Sequence, residues 1–275
     1  MQRAIDSTAR QPSFSGKVPV SVALKRLCNV MHAVILRDIR SRYFNHGLGF
    51  LVAPLFPVAH VGVLLAIYSF TGRTATFGDD MVLFFATGLM PVLTLTYVSR
   101  FMSSSIVANK NMLSFPAVHL MDIVLARSLL EFVAIVISLI ILVVILLSLG
   151  TDPFPYRPEQ ALACMAVTAM LAVGIGIIIS VISAMVPTMS MIYALFTVVI
   201  YLASGGPIYL DTLPEEVVYL FSFNPAFQCV SWMRQAYYQG YPAPFLDKTY
   251  LFLWATASLA VGLLMERALR RYVMQ

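Results

Sequence analysis

The sequence predicts an all-α polytopic membrane protein. It has six transmembrane helices, an interfacial amphipathic helix at the N-terminus, and a re-entrant outer helix pair between the fifth and sixth spans. Three observations carry this reading. Of 275 residues, 60% are hydrophobic and only 11% charged, under half the share of charge that usually solvates a globular surface. Six apolar stretches approach the ~20 residues that a helix rising ~1.5 Å per residue needs to cross ~30 Å of hydrocarbon. Lys and Arg gather in one set of connecting segments, the pattern that marks the cytoplasmic side.

Residues 1–45 read as a cytoplasmic N-terminal segment and 46–275 as one six-span domain. The first 19 residues are polar and lack an apolar core, so no signal peptide is expected. Leu24, Leu27, Met31, Val34 and Ile35 then recur at helical spacing, while Lys25, Arg26, Asn29, Arg37 and Arg40 lie largely elsewhere around the axis. Such a helix, with Arg37, Asp38, Arg40 and Arg42 near its end, suits the inner membrane interface and its anionic headgroups. The alternative is a basic tail that only sets orientation.

The six spans are 51–70, 81–99, 129–149, 161–186, 189–204 and 249–265, the last two being short. Pro187 and Thr188 interrupt the apolar run between the fourth and fifth without any charge, which fits a tight turn. A further apolar stretch, 217–233, is broken at Phe223-Asn224-Pro225, because Pro disfavours helix at the residue before it. Charge parity excludes it as a seventh span. Arg3, Arg10, Lys17, Lys25, Arg26, Arg37, Arg40 and Arg42 precede the first span, and Arg267, Arg270 and Arg271 follow the last. Both termini are thus cytoplasmic, which requires an even number of crossings. Arg100, Lys110 and Arg127 join the inner set, giving 14 of 18 basic residues, whereas eight of 13 acids fall outside. The net charge of +5 is therefore a topological signal, not a nucleic-acid footprint.

The inner loop Asn109-Lys110-Asn111-Met112-Leu113-Ser114-Phe115-Pro116 offers apolar groups in a polar setting. A protein partner would cover them; the membrane surface or the spans could do the same. The outer segment 205–248 contains Gly205-Gly206-Pro207, then Asp211 to Glu216, which reads as a helix start with acids in its first turn. Non-helical backbone at membrane depth is tolerated only where protein or a water-filled cavity covers it. Pro207, Asn224, Pro225 and Trp232 are accordingly candidates for an outer gate.

Catalytic signatures are missing. The four histidines form no metal-binding pattern, and the three cysteines are too scattered for a disulfide framework. No nucleotide-cradling loop occurs, so any ATP and Mg must sit on another subunit, and no cofactor or metal is expected on this chain. Glu131 follows Arg127 by one helical turn near the inner end of the third span, a pairing that lowers the cost of burying either. His60 lies inside the first span. Two polar stripes stand out: Thr94, Tyr97, Phe101 and Ser104, and Ser190, Tyr193, Thr197, Tyr201 and Ser204, each on one helical face. Hydroxyls and aromatic faces suit a sliding sugar polymer, so Thr94, Tyr97, Phe101, Tyr193, Thr197 and Tyr201 are candidates for a translocation path. Interhelical packing explains such stripes equally well.

Three stretches resemble a known family. They are Leu36-Arg37-Asp38-Ile39-Arg40-Ser41-Arg42-Tyr43 leading to 47–51, residues 87–131 including Ala108 to Leu113, and Phe223-Asn224-Pro225 followed by Arg234 and Gly240-Tyr241. Together they resemble the membrane (permease) subunit of ABC-type capsular polysaccharide exporters, the KpsM-like family. Ser114 to His119 is less basic than the family's pattern. The resemblance implies a bacterial inner-membrane homodimer joined to two cytoplasmic ATPase subunits. It implies that Asn109 to Phe115 meets the ATPase, that a lipid-linked polysaccharide is the cargo, and that periplasmic and outer-membrane export proteins carry it onward. The same architecture could instead export O-antigen, teichoic acid or another lipid or polymer. An integral membrane enzyme acting on lipid-linked sugars would have only Asp211, Glu215 and Glu216 to work with.

Overall fold

The computed structural model describes residues 20–42, 52–115, 118–210 and 212–273. Arg3, Arg10, Lys17, Tyr43, residues 47–51, Pro116, Ala117 and Asp211, all used in the sequence reading, lie outside the described residues. Among those described, every regular element is helical: α1 (Val20–Arg42), α2 (Val52–Phe70), α3 (Met81–Ser103), α4 (Ser105–Ala108), a 3-10 turn (Lys110–Ser114), α5 (Leu120–Ser148), α6 (Pro158–Met185), α7 (Met189–Leu202), α8 (Glu215–Ser222), α9 (Pro225–Tyr237) and α10 (Lys248–Val273). Five helices, α2, α3, α5, α6 and α10, are long and apolar enough to cross a membrane. The sixth expected span, α7, has 14 residues, about 21 Å at ~1.5 Å per residue, too short to cross alone.

α3 is the hub. Most of it is buried, and α2, α5, α6, α7 and α9 pack around it. Asp80 caps it by accepting from the Val82 and Leu83 amides, while Thr151 Oγ1 donates to the other Asp80 oxygen at 2.5 Å. That single carboxylate thereby fixes the start of α3 to the α5–α6 connection. α6 and α10 cross closely because glycines face them. A Cβ on Gly174 would lie 2.6 Å from the Leu259 amide nitrogen, so only a residue without one permits the approach.

Two boundaries depart from the sequence reading. α5 starts at Leu120, nine residues before the expected third span, with the Asp122 carboxylate accepting from the His119 amide. α10 runs through to Val273, not 265. In both cases charged residues that looked like span limits are carried inside a helix by a partner: Arg127 and Glu131 pair with one another, as do Glu266 and Arg270. The Pro187-Thr188 turn and the break before Pro225 fall where expected.

Candidate functional site

At the end of the bundle where α3 finishes and α5 begins, the segment 105–115 forms a compact corner. Asn109 is buried. Its Oδ1 accepts from Arg37 Nη1 at 2.9 Å, and its Nδ2 donates to the Ser105 carbonyl at 3.0 Å. Ser105 and Ser180 hydroxyls meet at 2.9 Å, tying the corner to α6. Met112 and Leu113 are half-buried against Val34, Ile123 and Ala126. They are thus partly covered by α1 and α5, as the alternative of cover by the helices themselves has it. Lys110 and Asn111 are exposed, and Phe115 is 61% exposed.

α1 docks on α5 through Val30, Met31, Val34 and Ile35; Leu24, on the expected apolar face, remains exposed. Arg40 is exposed too, and the Arg42 side chain lies outside the described set. Asp38, grouped by sequence with the interfacial cations, is instead buried against Arg127, Oδ2 to Nη1 3.0 Å. Arg127 Nε also meets Glu131 at 2.9 Å, and its Nη2 donates to the Phe101 carbonyl. The Arg127–Glu131 spacing was legible in sequence; the Asp38 contribution was not, because it comes from another helix.

Midway along α3, residues of both polar stripes meet. Tyr97, Thr197 and Tyr201 line a cavity of about 80 Å3 together with His60, Thr96 and Arg100. His60 Nδ1 lies 3.3 Å from the Tyr97 hydroxyl, and its ring is 5.2 Å from that of Tyr201. The Arg100 guanidinium sits 5.0 Å from the Tyr97 ring centre. Thr94 and Phe101 turn instead toward a cleft against α5 that also contains Glu131. Tyr193 is buried and donates to Ser99 Oγ at 2.7 Å, an interhelical contact apart from the cavity. These pairings set the register of α7 on α3: Tyr193 opposite Ser99, Tyr201 opposite Leu93. α7 therefore ends halfway along α3.

Beyond α7 the chain passes Ser204-Gly205-Gly206-Pro207 alongside the first half of α3. Gly206 lies so close that a Cβ there would be 2.9 Å from the Gly88 carbonyl oxygen. The Tyr68 hydroxyl donates to the Pro207 carbonyl at 2.6 Å. Asn224 caps α9, accepting from the Ala226 amide, and its Nδ2 donates to the Ile200 and Ala203 carbonyls. Pro225 occupies the first position of α9, where its missing N–H is not needed. Trp232 donates to Gln160, so α9 runs back along α6, with Arg157 on Ala236 and Cys164 Sγ on the Cys229 carbonyl. Those two cysteines, distant in sequence, are neighbours with free thiols. Of the four candidate gate residues, Pro207 and Asn224 flank the end of α7, whereas Trp232 faces α6.

Arg234 has a place in the structure that sequence reasoning did not give it. It is 2% exposed, its guanidinium lies 4.3 Å from the Phe84 ring centre and 5.6 Å from that of Tyr209, and Nη2 reaches toward the Gly206 carbonyl at 3.5 Å. A Cβ on Gly88 would come within 2.5 Å of it, so that glycine makes its room. A lone cation beside the Asn-Pro break was the only signal available. Among the described residues no group of three His, Cys, Asp or Glu side chains could hold a metal.

The chain matches known proteins over most of its length. It is 27% identical over 237 residues to the polysialic acid transport protein KpsM of Escherichia coli, covering 86% of this chain and 92% of that protein. It is 24% identical over 245 residues to the capsule polysaccharide export inner-membrane protein CtrC of Neisseria meningitidis serogroup B, covering 89% and 92%. To the capsule polysaccharide export inner-membrane protein BexB of Haemophilus influenzae it is 23% identical over 238 residues, covering 86% and 90%. The family model described as ABC-2 type transporter matches residues 29–238, from α1 through the Asn224-Pro225 break to Tyr238, and the chain belongs to that family of transporter membrane subunits.

Proposed function

We propose that this chain is the transmembrane subunit of an ATP-driven exporter that moves lipid-linked capsular polysaccharide across the bacterial inner membrane. Two copies form a homodimer with two cytoplasmic ATPase subunits that hold ATP and Mg, and periplasmic and outer-membrane export proteins take the cargo onward. The observation that carries this reading is the corner at 105–115. Its tip, Lys110, Asn111 and Phe115, is exposed, while its base is locked by Arg37, Asn109, Ser105 and Ser180. A contact surface on a rigid base transmits force. ATP-driven closure of the partners, pressing on the tip, would shift α1, α3 and α6 together, so that ATP supplies differential binding of two states and no covalent chemistry.

The cavity between α2, α3 and α7 is the natural path. Its hydroxyls and rings lie beside helices whose apolar faces stay open, such as Val63, Leu195 and Phe196, and a second copy would cover them. The α8–α9 pair reads as a re-entrant outer gate. Asn224 holds the break against the end of α7, itself only halfway along α3, and α9 retraces α6. With α7 and the following loop counted as one crossing, six crossings leave both termini cytoplasmic.

The test is a purified complex of the chain with its ATPase. Phe115→Asp is expected to abolish ATP-dependent capsule export in cells and the coupling between cargo and ATP hydrolysis, without lowering the melting temperature. Normal export by this variant would sink the assignment of the corner. Loss of surface capsule with intact lipopolysaccharide on deletion of the chain would separate a capsule cargo from O-antigen.

A further inference from the structure

We propose that the cavity between α2, α3 and α7 is an anion subsite, in which Arg100 with the Tyr97 and Tyr201 hydroxyls takes a carboxylate carried by the sugar units of the cargo. This rests on the pathway reading above and adds to it the charge of what passes.

Two arginines stand near the same end of the bundle, and their surroundings differ. Arg127 is held by two carboxylates, Asp38 and Glu131. Arg100, one helix away and half-buried, pairs with no carboxylate among the described residues. Its guanidinium lies over the Tyr97 and Phe101 rings at 5.0 and 5.7 Å. Ring faces offset part of the cost of holding a half-buried cation, but they offer it no acceptor oxygen. A second group lining the same cavity lacks a partner: the Tyr201 hydroxyl, on α7, is buried without a hydrogen bond among the described residues. The cavity contains no acidic side chain, so a fork of guanidinium donors and a phenol converge on a space that is short of acceptors. A carboxylate supplies two of them in the geometry a guanidinium matches best.

The size fits. About 80 Å3 is the space of two or three waters at ~30 Å3 each, enough for one carboxylate and the edge of a ring that carries it. Thr96 and Thr197 line the same space and suit the hydroxyls of a sugar. Their hydroxyls donate to the Val92 and Ala194 carbonyls, which leaves the oxygens able to accept from sugar hydroxyls that an acyl chain does not have, and this favours a glycan over a membrane lipid as the source of the anion.

The test uses the full chain with its ATPase in nanodiscs and reads the binding of a hexuronic-acid oligosaccharide, of the same oligosaccharide after carboxyl reduction, and of anionic phospholipid. The wild type should bind the carboxylated oligosaccharide more tightly than the reduced one. Arg100→Gln should weaken that binding at least about tenfold, as for loss of charge-assisted hydrogen bonds, and Arg100→Lys should restore part of it. The reduced oligosaccharide should not distinguish the three proteins. Equal binding of the carboxylated form by wild type and Arg100→Gln overturns the subsite. So does an Arg100→Gln effect confined to phospholipid, which would assign the cation to a lipid headgroup. Thr197→Trp tests the pathway separately: if it blocks export while Arg100→Gln remains indifferent to charge, only the anion subsite falls, and if it exports normally the pathway itself is wrong.

Discussion

Replacing Arg127 with alanine is expected to do more damage than any other single change where α1 meets α5. The guanidinium meets Asp38 at 3.0 Å and Glu131 at 2.9 Å and donates to the Phe101 carbonyl at 3.0 Å, and all three charged side chains are at most 7% exposed. Truncation leaves two carboxylates facing one another with no cation. Breaking a buried pair in this way costs about 3–5 kcal/mol, a large part of the ~5–15 kcal/mol that holds a typical domain together. Asp38→Asn keeps the Arg127–Glu131 pair and retains an acceptor oxygen, so it should cost only about 1–2 kcal/mol. A triple replacement, Arg127→Met with Asp38→Leu and Glu131→Leu, removes all the charges at once and should recover most of the loss. The assay is thermal unfolding in detergent with a thiol-reactive dye, since the buried Cys164 and Cys229 report on opening of the core. The expected order of melting temperatures is wild type, Asp38→Asn, then Arg127→Ala, with the triple variant above Arg127→Ala. An Arg127→Ala protein that melts with the wild type, or a triple variant that melts below Arg127→Ala, would show that no buried charge is stranded here.

Gly174→Ala forces α6 from α10 and should destabilise by about 1–3 kcal/mol, whereas Gly62→Ala, whose Cβ meets nothing within 4 Å, should be neutral or slightly stabilising in the same melt. Asn224→Ala loses the α9 cap and both bonds to the end of α7, so export should fail. Asn224→Asp keeps the cap acceptor but loses the donors to Ile200 and Ala203, and should fail as well, which a surface-capsule assay in cells reads directly. Cys28 is exposed on α1 while the other two cysteines are buried, so a membrane-impermeant maleimide should label the native protein once, and only in inside-out vesicles. Labelling in intact, right-side-out cells would place α1 on the wrong side.

Much of the fold was legible because apolar runs, caps and breakers are local. The turn at Pro187 and the stop at Asn224-Pro225 each follow from residues adjacent in sequence. What could not be read depends on partners far along the chain. The start of α5 was misplaced because Arg127 looks like a span limit until Asp38, on another helix, neutralises it. The polar stripes were visible, but not which residue of each meets the other: Tyr97, Thr197 and Tyr201 share a cavity, Thr94 and Phe101 turn to α5, and Tyr193 is spent on Ser99. Arg234 was opaque for the same reason, since the space it fills is made by Gly88 on a different helix. Met112 and Leu113 read equally as a partner contact or as packing on the helices, because periodicity in so short a segment cannot say that α1 and α5 partly cover them.

Inside-out vesicles containing this chain and its ATPase, supplied with lipid-linked polysaccharide labelled on the sugar, should accumulate label in the lumen only when ATP is hydrolysed. Phe115→Asp should stop that accumulation while leaving the chain folded. Accumulation without the ATPase, or ATP-driven accumulation that Phe115→Asp leaves unchanged, would contradict the claim that this chain is a conduit driven by a partner through the corner at 105–115.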